Sequence, residues 1–366
     1  MIKQKDHFHG SDLEKIEAVY HIKKEDITSF GANVNPLGVS FKLRETLASK
    51  IDAITSYPDR EYTSLRKCIS SYTGAELEHI IVGNGSTELI SLFIQITHPK
   101  KALLIGPTYS EYEREVTLEG GRAHYLSLHE EDGFSLNLDE LEDELSQDVD
   151  LLIICNPNNP TSSVLTRQEM RKILDSCKRK GIYVMVDETY VEFAPSIEDI
   201  TSIPLAEYYT NLVILRGISK FFAAPGLRLG YAICGNEELL KEINKRKNPW
   251  TINSLAAIAG EIMFTDTDYI NQTKELIHTE RTRICARLAA CKDLKIYKPN
   301  ANFVLCKLLR EDITSFDLFE TCIKKGLMIR DCSNFPFLDD HYFRFCFMSA
   351  EKNDELVDLI LETLAS

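Results

Sequence analysis

The sequence is short of positive charge. Its 366 residues include 42 Lys and Arg against 56 Asp and Glu, which gives a formal net charge of −14, and the pI is near 5.2. Nucleic acids and anionic membranes bind basic faces, so this balance argues against both as partners. An anionic small molecule remains compatible with it, provided that its site gathers cations locally.

Long apolar runs and paired cysteines are also missing. No stretch approaches the ~18–20 apolar residues of a membrane-spanning helix, and the N-terminus has no apolar signal segment. The ten cysteines form no C-x-x-C pair, so neither a zinc site nor a dithiol redox motif is indicated. No Gly-x-x-x-x-Gly-Lys loop and no metal-ligand spacing of histidines occurs. We therefore expect a reduced, cytoplasmic protein without a metal site.

Hydrophobic residues make up 44% of the chain and charged residues 27%, which is typical of a globular protein with a large core. In the middle of the chain, short aliphatic runs alternate with amphipathic segments of helical periodicity. This alternation predicts an α/β fold, with a mainly parallel sheet covered by helices on both faces as a three-layer α/β/α architecture. The predicted strands are 102–105, 151–155, 183–186, 212–215 and 229–233, and the predicted helices are 87–96, 138–145 and 166–180.

The pattern changes near residue 253. A long helical stretch at 255–290 is followed by strand-like runs at 301–308 and around 341–348, which indicates a smaller α+β domain. We expect the N-terminal segment to join it. The predicted division is a large domain at 41–252 and a small domain formed by 1–40 with 253–366.

Parallel α/β sheets bind ligands beyond the carboxyl ends of their strands, so the residues after each strand matter most. The segment 83–87, Gly-Asn-Gly-Ser-Thr, opens the first helix and can present backbone N–H groups to an anion. The segment 156–161, Asn-Pro-Asn-Asn-Pro-Thr, forms a turn that displays amide side chains. In isolation, each of these segments is more often a plain turn.

Two further strand ends carry charge. Asp187 ends a buried strand, where a carboxylate is costly unless a cation meets it, and a protonated pyridine nitrogen would be such a cation. Tyr190, three residues later, could reach a ring hydroxyl. After the next strand come Ser219 and Lys220, with Arg228 eight residues beyond. These groups suit a phosphate-bearing aldehyde, because the amine forms an imine while the hydroxyl and guanidinium hold the phosphate. Taken alone, Asp187 could equally be part of a structural ion pair, and Ser219 with Lys220 could be an ordinary surface pair.

Together these segments resemble the fold type I pyridoxal-phosphate (PLP) enzymes of the aminotransferase class I and II group. Within that group the chain resembles histidinol-phosphate aminotransferases and, over essentially its whole length, the threonine-phosphate decarboxylases of cobalamin biosynthesis. The matching segments are His-Gly at 9–10, Phe-Gly-Ala-Asn-Val-Asn-Pro-Leu-Gly at 30–38, Tyr-Pro-Asp at 57–59, 220–231, Pro-Trp-Thr-Ile-Asn at 249–253, Ala-Asn at 301–302, Ile-Arg-Asp-Cys-Ser-Asn at 329–334 and Tyr-Phe-Arg at 342–344.

The resemblance implies pyridoxal 5'-phosphate as the cofactor and gives each matching residue a role. Lys220 would form the imine with the aldehyde and move protons, while Asp187 would pair with the pyridine N–H. The ring would be stacked by Tyr109. The remaining implied cofactor contacts are Asn159 and Tyr190 at the ring's phenolic oxygen, and the backbone of Gly85, Ser86 and Thr87 with Ser219 and Arg228 at the phosphate.

The resemblance also implies a small anionic amino substrate. Arg344 corresponds to the family's substrate-anion arginine. The candidates for a second anion are Arg330, His9 and either Asn33 or Asn35. Tyr57 would reach the cofactor of a neighbouring subunit, so a homodimer with shared active sites is implied.

The chain departs from the family pattern at four positions. Gly217 stands where Ser or Thr usually precedes the lysine by three residues, so one phosphate hydroxyl is missing. Ser162 replaces the Gly of an Asn-Pro-Thr-Gly turn, which should be tolerated if φ is negative there. Tyr190 and Met348 differ from the decarboxylase pattern, which commonly has Phe at the first position and often has Arg at the second.

These residues leave the reaction open, because PLP activates whichever Cα bond stands perpendicular to its ring. If Arg344 holds an α-carboxylate in the ring plane, Cα–H is exposed and transamination follows. If the arginines hold a substrate phosphate and the carboxylate leaves the plane, CO₂ is lost. Tyr190 and Met348 lead us to expect transamination of a small phosphorylated or phosphonate-bearing amino compound. Decarboxylation of O-phospho-L-threonine is the alternative, and a PLP-fold binding protein without turnover is the less expected one.

Overall fold

The computed structural model describes residues 8–145 and 148–365. None of the helices within these ranges is both long and apolar enough to cross a lipid bilayer. The helices are α1 Leu13–Tyr20, α2 Phe41–Ser49, α3 Thr63–Thr73, α4 Gly85–Thr97, α5 Glu111–Leu118, α6 Leu138–Glu144, α7 Arg167–Lys180, α8 Ile197–Ile200, α9 Glu237–Arg246, α10 Ser254–Met263, α11 Thr267–Leu288, α12 Ser315–Ile323 and α13 Ala350–Ala365. The strands are β1 Thr28–Ser29, β2 Ile80–Gly83, β3 Lys101–Gly106, β4 Arg122–Ser127, β5 Leu151–Cys155, β6 Tyr183–Asp187, β7 Leu212–Gly217, β8 Gly230–Ile233, β9 Leu294–Ile296, β10 Phe303–Leu308, β11 Leu327–Met328, β12 Arg330–Asp331 and β13 Tyr342–Cys346.

The central sheet of the described chain has seven strands in the order β2-β8-β7-β6-β5-β3-β4. All neighbouring pairs are parallel except those made by β8, which runs antiparallel to β2 and β7. Along β3, Leu103 and Ile105 join one hydrophobic cluster while Ala102 and Leu104 join another. Such alternation requires cover on both faces of the strand. The predicted three-layer architecture is confirmed.

The predicted elements of this sheet lie within two residues of the observed ones, and β5 coincides with its prediction. The capping box expected at the start of α7 is present, with Thr166 and Glu169 bonding each other's backbone N–H groups. Two strands of the seven-stranded sheet, β2 and β4, were not predicted. β2 is short, with four residues. β4 is an edge strand in which Leu126 alone is buried, so the hydrophobic pattern of β4 is weak.

The long helical stretch predicted at 255–290 is present, and it consists of two helices. It divides into α10 and α11, and Asp266 caps the second helix by accepting from the backbone N–H of Tyr269. A side chain that satisfies the free N–H groups of a helix start favours a break at that point.

A second, antiparallel sheet has the order β12-β13-β10-β9. The N-terminal strand β1 pairs in parallel with β11, which ties the start of the chain to its C-terminal part. This pairing supports the proposed division into two domains. Helix α10, however, packs against α2 and α3 of the large unit, so we propose that the second boundary lies after α10, near residue 264.

Candidate active site

A cavity of about 360 Å³ lies beyond the carboxyl ends of β5, β6 and β7. One wall of the cavity is formed by residues of the central sheet and its loops, including Asp187 and Arg228, and the other by Arg330 and Arg344 of the second sheet. Most of the side chains selected from the sequence meet here. The cavity is lined by His9, Asn33, Ser86, Thr87, Tyr109, Asn159, Asp187, Tyr190, Ser219, Lys220, Arg228, Arg330 and Arg344, among others.

Three of the selected residues lie outside this lining. Asn35 is buried and donates its amide to Phe221 O, Tyr269 Oη and Thr273 Oγ1, so we withdraw it as a candidate for substrate binding. Tyr57 is 80% exposed and lies away from the cavity of its own chain. Gly85 sits directly behind Arg228 rather than in the lining.

The first turn of α4 and Arg228 form an anion-binding corner. Gly85 has φ +75°, and a Cβ at this position would lie 2.4 Å from Arg228 Nη2. A Cβ on Gly230 would lie 2.3 Å from the backbone N of Ser86. Glycine is favoured at 85 by its positive φ and at 230 because a Cβ there would meet backbone atoms. Free helix N–H groups beside a guanidinium suit a phosphate, so this corner fits the phosphate of PLP.

Gly217 lines the same corner. A Cβ here would lie 3.7 Å from Leu229 O and 3.8 Å from Ser86 Oγ, which is ordinary van der Waals contact. The hydroxyl-bearing side chain that the family usually carries at this position would therefore fit.

Asp187 is a buried carboxylate at the end of β6. Tyr112 Oη donates to its Oδ2 at 2.7 Å, and the backbone N–H and hydroxyl of Thr189 donate to its Oδ1 at 2.9 and 2.5 Å. Burial raises the pKa of this carboxyl. An aromatic N–H cation beside Asp187 would compensate the cost of burying its negative charge, so the carboxylate fits the pyridinium of PLP.

Tyr112 and Thr189 are not among the site residues predicted from the sequence. Tyr112 follows Tyr109 by three residues and therefore lies on the same side of the chain entering α5. The two rings contact each other edge to face, with centroids 5.5 Å apart. Thr189 lies two residues after Asp187, the spacing at which an Asp side chain accepts from the following backbone. These spacings are the signals that could have identified both residues.

Lys220 projects into the cavity three residues beyond β7. Its Nζ donates to the backbone carbonyl of Ala32 at 2.7 Å. Burial, together with the charges of Arg344 and Arg228, lowers the pKa of Lys220 to about 8. An appreciable fraction of the amine is therefore neutral near pH 8, as attack on an aldehyde requires.

Arg330 and Arg344 are directly opposite partners in the antiparallel pair β12–β13. Arg344 donates to Asn159 Oδ1 and, at 2.8 Å, to Gly31 O, while its buried Nε has no hydrogen-bond partner among the described residues. Arg330 donates to Phe8 O and, at 2.7 Å, to Asn334 Oδ1.

Within the described ranges, neither of these guanidinium groups is paired with a carboxylate. Burial, with a contribution from the charge of Arg344, lowers the pKa of Arg330. Like charges directly opposite each other across a sheet are destabilising. This wall therefore favours an anionic ligand.

Tyr190 and Asn33 lie between the two walls. Asn33 Nδ2 donates to Tyr190 Oη at 3.4 Å, and Asn33 Oδ1 is buried without a partner in the described structure. Burial raises the pKa of Tyr190, so its phenol stays protonated and can donate. His9 is exposed at the rim of the cavity.

Two departures from the family pattern look different in three dimensions. Ser162 has φ +60°, so the condition under which serine would replace glycine without strain, a negative φ, is not met. Met348 is not part of the cavity lining, and its Sδ lies 3.7 Å from Cys346 Sγ. The residue at 348 therefore carries little information about the reaction.

Comparison with known proteins identifies the group. The sequence profile of the family described as aminotransferase class I and II matches residues 25–360. The chain belongs to this family. It is a PLP-dependent enzyme, with pyridoxal 5'-phosphate as its cofactor, and it falls within the group that includes histidinol-phosphate aminotransferases and threonine-phosphate decarboxylases.

Individual relatives represent both activities. A protein of Caldanaerobacter subterraneus subsp. tengcongensis, provisionally named a threonine-phosphate decarboxylase, is 36% identical over 329 residues, which cover 90% of this chain and 88% of that protein. The threonine-phosphate decarboxylase of Salmonella typhimurium is 32% identical, covering 97% and 96%. The crystal structure of the histidinol-phosphate aminotransferase from Clostridium acetobutylicum is also 32% identical, with a TM-score of 0.85 and coverage of 92% and 98%.

Proposed function

We propose that this PLP enzyme removes the α-carboxylate, as CO₂, from a small amino acid that carries a phosphate group, with O-phospho-L-threonine as the model substrate. The observation that carries this proposal is the pair of buried guanidinium groups on Arg330 and Arg344, directly opposite each other on adjacent strands. The decarboxylase relatives support the choice of reaction and substrate.

Charge matching favours a phosphate over a carboxylate between the two arginines. A phosphate monoester carries about −1.5 to −2 charges at pH 7 and offers three acceptor oxygens, whereas a carboxylate carries one charge. Arg228 is committed to the cofactor corner with Ser86. If Arg330 and Arg344 share the phosphate, no arginine of the described lining remains to hold an α-carboxylate in the ring plane.

When bound, PLP supplies an electron sink for the Cα bond that stands perpendicular to its ring. Asp187 would hold the proton on the ring nitrogen, with Tyr112 and Thr189 fixing its oxygens. Asn159 and Tyr190 would donate to the phenolic oxygen, and Tyr109 would cover the ring face. The backbone N–H groups at 85–87, with Ser219 and Arg228, would hold the phosphate.

Lys220 would carry the proton transfer at Cα. Its lowered pKa of about 8 allows the amine both to accept and to donate a proton near neutral pH. In decarboxylation the C–C bond to the carboxylate breaks, the electron pair remains on the substrate, and the Lys220 ammonium protonates Cα. His9, at the rim, would add a further donor for the phosphate.

Transamination of a phosphorylated amino compound is the second candidate, and Tyr190 favours it. Its hydroxyl stands where the threonine-phosphate decarboxylases commonly carry Phe, and it faces the cavity. In this reaction Lys220 would remove the Cα proton instead. The earlier support from Met348 is lost, because this residue lies outside the lining.

We also propose a homodimer in which Tyr57 reaches the cofactor of the neighbouring subunit. The rings of Tyr57 and Trp250 contact each other in a tilted arrangement with centroids 4.8 Å apart, and both residues are exposed. Phe41 and Ile54, 77% and 63% exposed, add apolar surface on nearby elements of the large unit. Exposed apolar patches of this kind mark protein–protein contacts.

A cytoplasmic location belongs to the same proposal. All ten cysteines are free, and Cys155, Cys306 and Cys346 are among those buried in the core. Structural disulfides are characteristic of oxidising compartments, so a chain with many free thiols suits a reducing one.

The deciding experiment incubates purified holoenzyme with O-phospho-L-threonine, with and without 2-oxoglutarate, and measures CO₂ and glutamate. We expect CO₂ release that does not depend on 2-oxoglutarate, and none from the Lys220→Ala variant. Glutamate formation without CO₂ would overturn decarboxylation in favour of transamination. A holoenzyme whose visible spectrum responds to no amino compound would favour the binding protein.

A further inference from the structure

Ser162 occupies a backbone conformation that suits glycine. It lies in the turn that follows β5 and carries Asn159, it is fully buried, and its φ is +60°. A residue with a Cβ pays a conformational penalty in this left-handed region, whereas glycine does not. A serine in this position therefore needs a compensating interaction.

The hydroxyl of Ser162 provides that interaction. Its Oγ accepts hydrogen bonds from the backbone N–H groups of Asn300 and Ala301, both at 2.8 Å. The carbonyl of Ser162 also accepts from Asn300 Nδ2 at 2.9 Å. Glycine could offer only the carbonyl, so two of the three bonds depend on the serine side chain. We call this set of three bonds the Ser162 latch.

The segment held by the latch is fixed from its other side as well. Nη1 of Arg281, in α11, donates to two backbone carbonyls, Ala301 O at 3.0 Å and Phe193 O at 2.9 Å. The next residue, Asn302, donates its amide to Asn33 O at 2.9 Å. Residues 300–302 are thus bonded to the large unit and to the N-terminal segment just before β10 begins.

The latch links the turn that carries Asn159 to the segment that enters β10. β10 pairs with β13, and Leu305 lies directly opposite Arg344. Arg344 in turn donates to Asn159 Oδ1 on the turn that carries Ser162. Ser162 therefore closes a ring of contacts that contains the cofactor-side amide and the substrate-side guanidinium.

We propose that Ser162 is a positioning residue, whose hydroxyl fixes Asn159 relative to Arg344 and so tunes binding of the substrate phosphate. The part concerning phosphate rests on the proposed function. Ser162 lies outside the cavity lining, so its effect must pass through the other two residues.

Three substitutions separate the hydroxyl from the backbone strain. Ser162→Gly removes the hydroxyl and relieves the strain, Ser162→Ala removes the hydroxyl and keeps the strain, and Ser162→Thr keeps the hydroxyl. The readouts are amide hydrogen exchange at 300–301, titration of the holoenzyme with inorganic phosphate, PLP affinity, and KM and kcat for O-phospho-L-threonine.

We expect the Gly and Ala variants to share the functional defect and to differ in stability. In both, exchange at Asn300 and Ala301 should accelerate about tenfold or more, since each amide loses a buried partner. The Kd for phosphate and the KM should rise by a similar factor, while kcat changes less. The Gly variant should melt above the Ala variant, and Ser162→Thr should retain phosphate binding and amide protection. If the Ala variant does not fold, the Gly variant carries the test.

Several outcomes would overturn the proposal. One is a Gly variant with wild-type phosphate binding and protected amides, which would make Ser162 a tolerated replacement for glycine. Faster exchange with unchanged binding would make the latch structural only. If the wild-type enzyme neither binds phosphate nor acts on O-phospho-L-threonine, the proposed function fails separately. PLP affinity then decides, because weaker PLP binding in the Gly variant would support the positioning of Asn159 and unchanged affinity would refute it.

Discussion

The two walls of the cavity are built differently. On the cofactor wall, Asp187 is bonded by Tyr112 and Thr189, and Arg228 stands against the first turn of α4. On the substrate wall, the described hydrogen-bond acceptors of Arg330 and Arg344 are carbonyl and amide oxygens, and the two guanidinium groups lie over the rings of Phe335 and Phe303. Within the described residues, the carboxylate of the cofactor wall is already hydrogen-bonded by side chains, whereas the two adjacent positive charges of the substrate wall gain an opposite charge only from a ligand.

The largest effect should come from the cofactor wall. Lys220→Ala should lower kcat by at least about 10³-fold, because it removes both the amine that bonds the aldehyde and the proton carrier. Steady-state CO₂ release and the visible spectrum of the holoenzyme measure this. A variant that kept more than a tenth of wild-type turnover would contradict the assignment of Lys220.

The pH dependence of stability gives an independent measure of the same lysine. The pKa of Lys220 falls from 10.5 to about 8 on folding. Between these pH values the unfolded chain binds more protons, so this group makes the cofactor-free protein more stable as the pH rises. Lys220→Met should raise Tm at pH 7 and flatten the increase above pH 8. Equal slopes in the two proteins would show that Lys220 is not desolvated.

The substrate wall should respond with a smaller loss and an opposite change in stability. Arg330→Gln or Arg344→Gln should raise KM for the phosphorylated substrate about 10–100-fold, the equivalent of one hydrogen bond to a charged group. Each should leave Tm unchanged or higher in phosphate-free buffer, since a repulsive pair is removed. A marked fall in Tm for both variants would mean that the arginines stabilise the fold, which would remove the contrast between the walls.

Tyr190 lies where the walls meet, and it should give the smallest effect. Tyr190→Phe removes one hydroxyl from the cavity while keeping the ring packed on Phe303. For a decarboxylase we expect a loss of no more than about tenfold in kcat/KM, comparable to one neutral hydrogen bond. Met348→Leu is the matched control outside the lining and should leave both constants unchanged. A much larger loss at Tyr190 would favour transamination.

The same contrast explains what could be predicted from sequence. Asp187, Lys220 and the turn at 156–161 follow apolar strands, so the topology of a parallel sheet places them at one edge. The facing of Arg330 and Arg344 depends on the register between β12 and β13, and no local pattern in the sequence encodes it. The positive φ of Ser162 could not be derived from the sequence, because the donors that compensate it, Asn300 and Ala301, are about 140 residues away along the chain. Asn35 lies in a segment that matches the family pattern, yet its amide donates to buried groups of the chain itself and does not face the cavity.

The opposed arginines have a practical consequence for anyone who handles this enzyme. On the proposed function, we expect buffer anions with two negative charges, such as phosphate or sulfate, to compete for Arg330 and Arg344 and to raise the apparent KM. If Arg330 and Arg344 bind the substrate phosphate as proposed, we expect inhibitor affinity to depend strongly on the charge of the ligand. A phosphonate analogue of the substrate should bind, whereas its dimethyl ester, which carries no charge on the phosphonate group, should bind much more weakly.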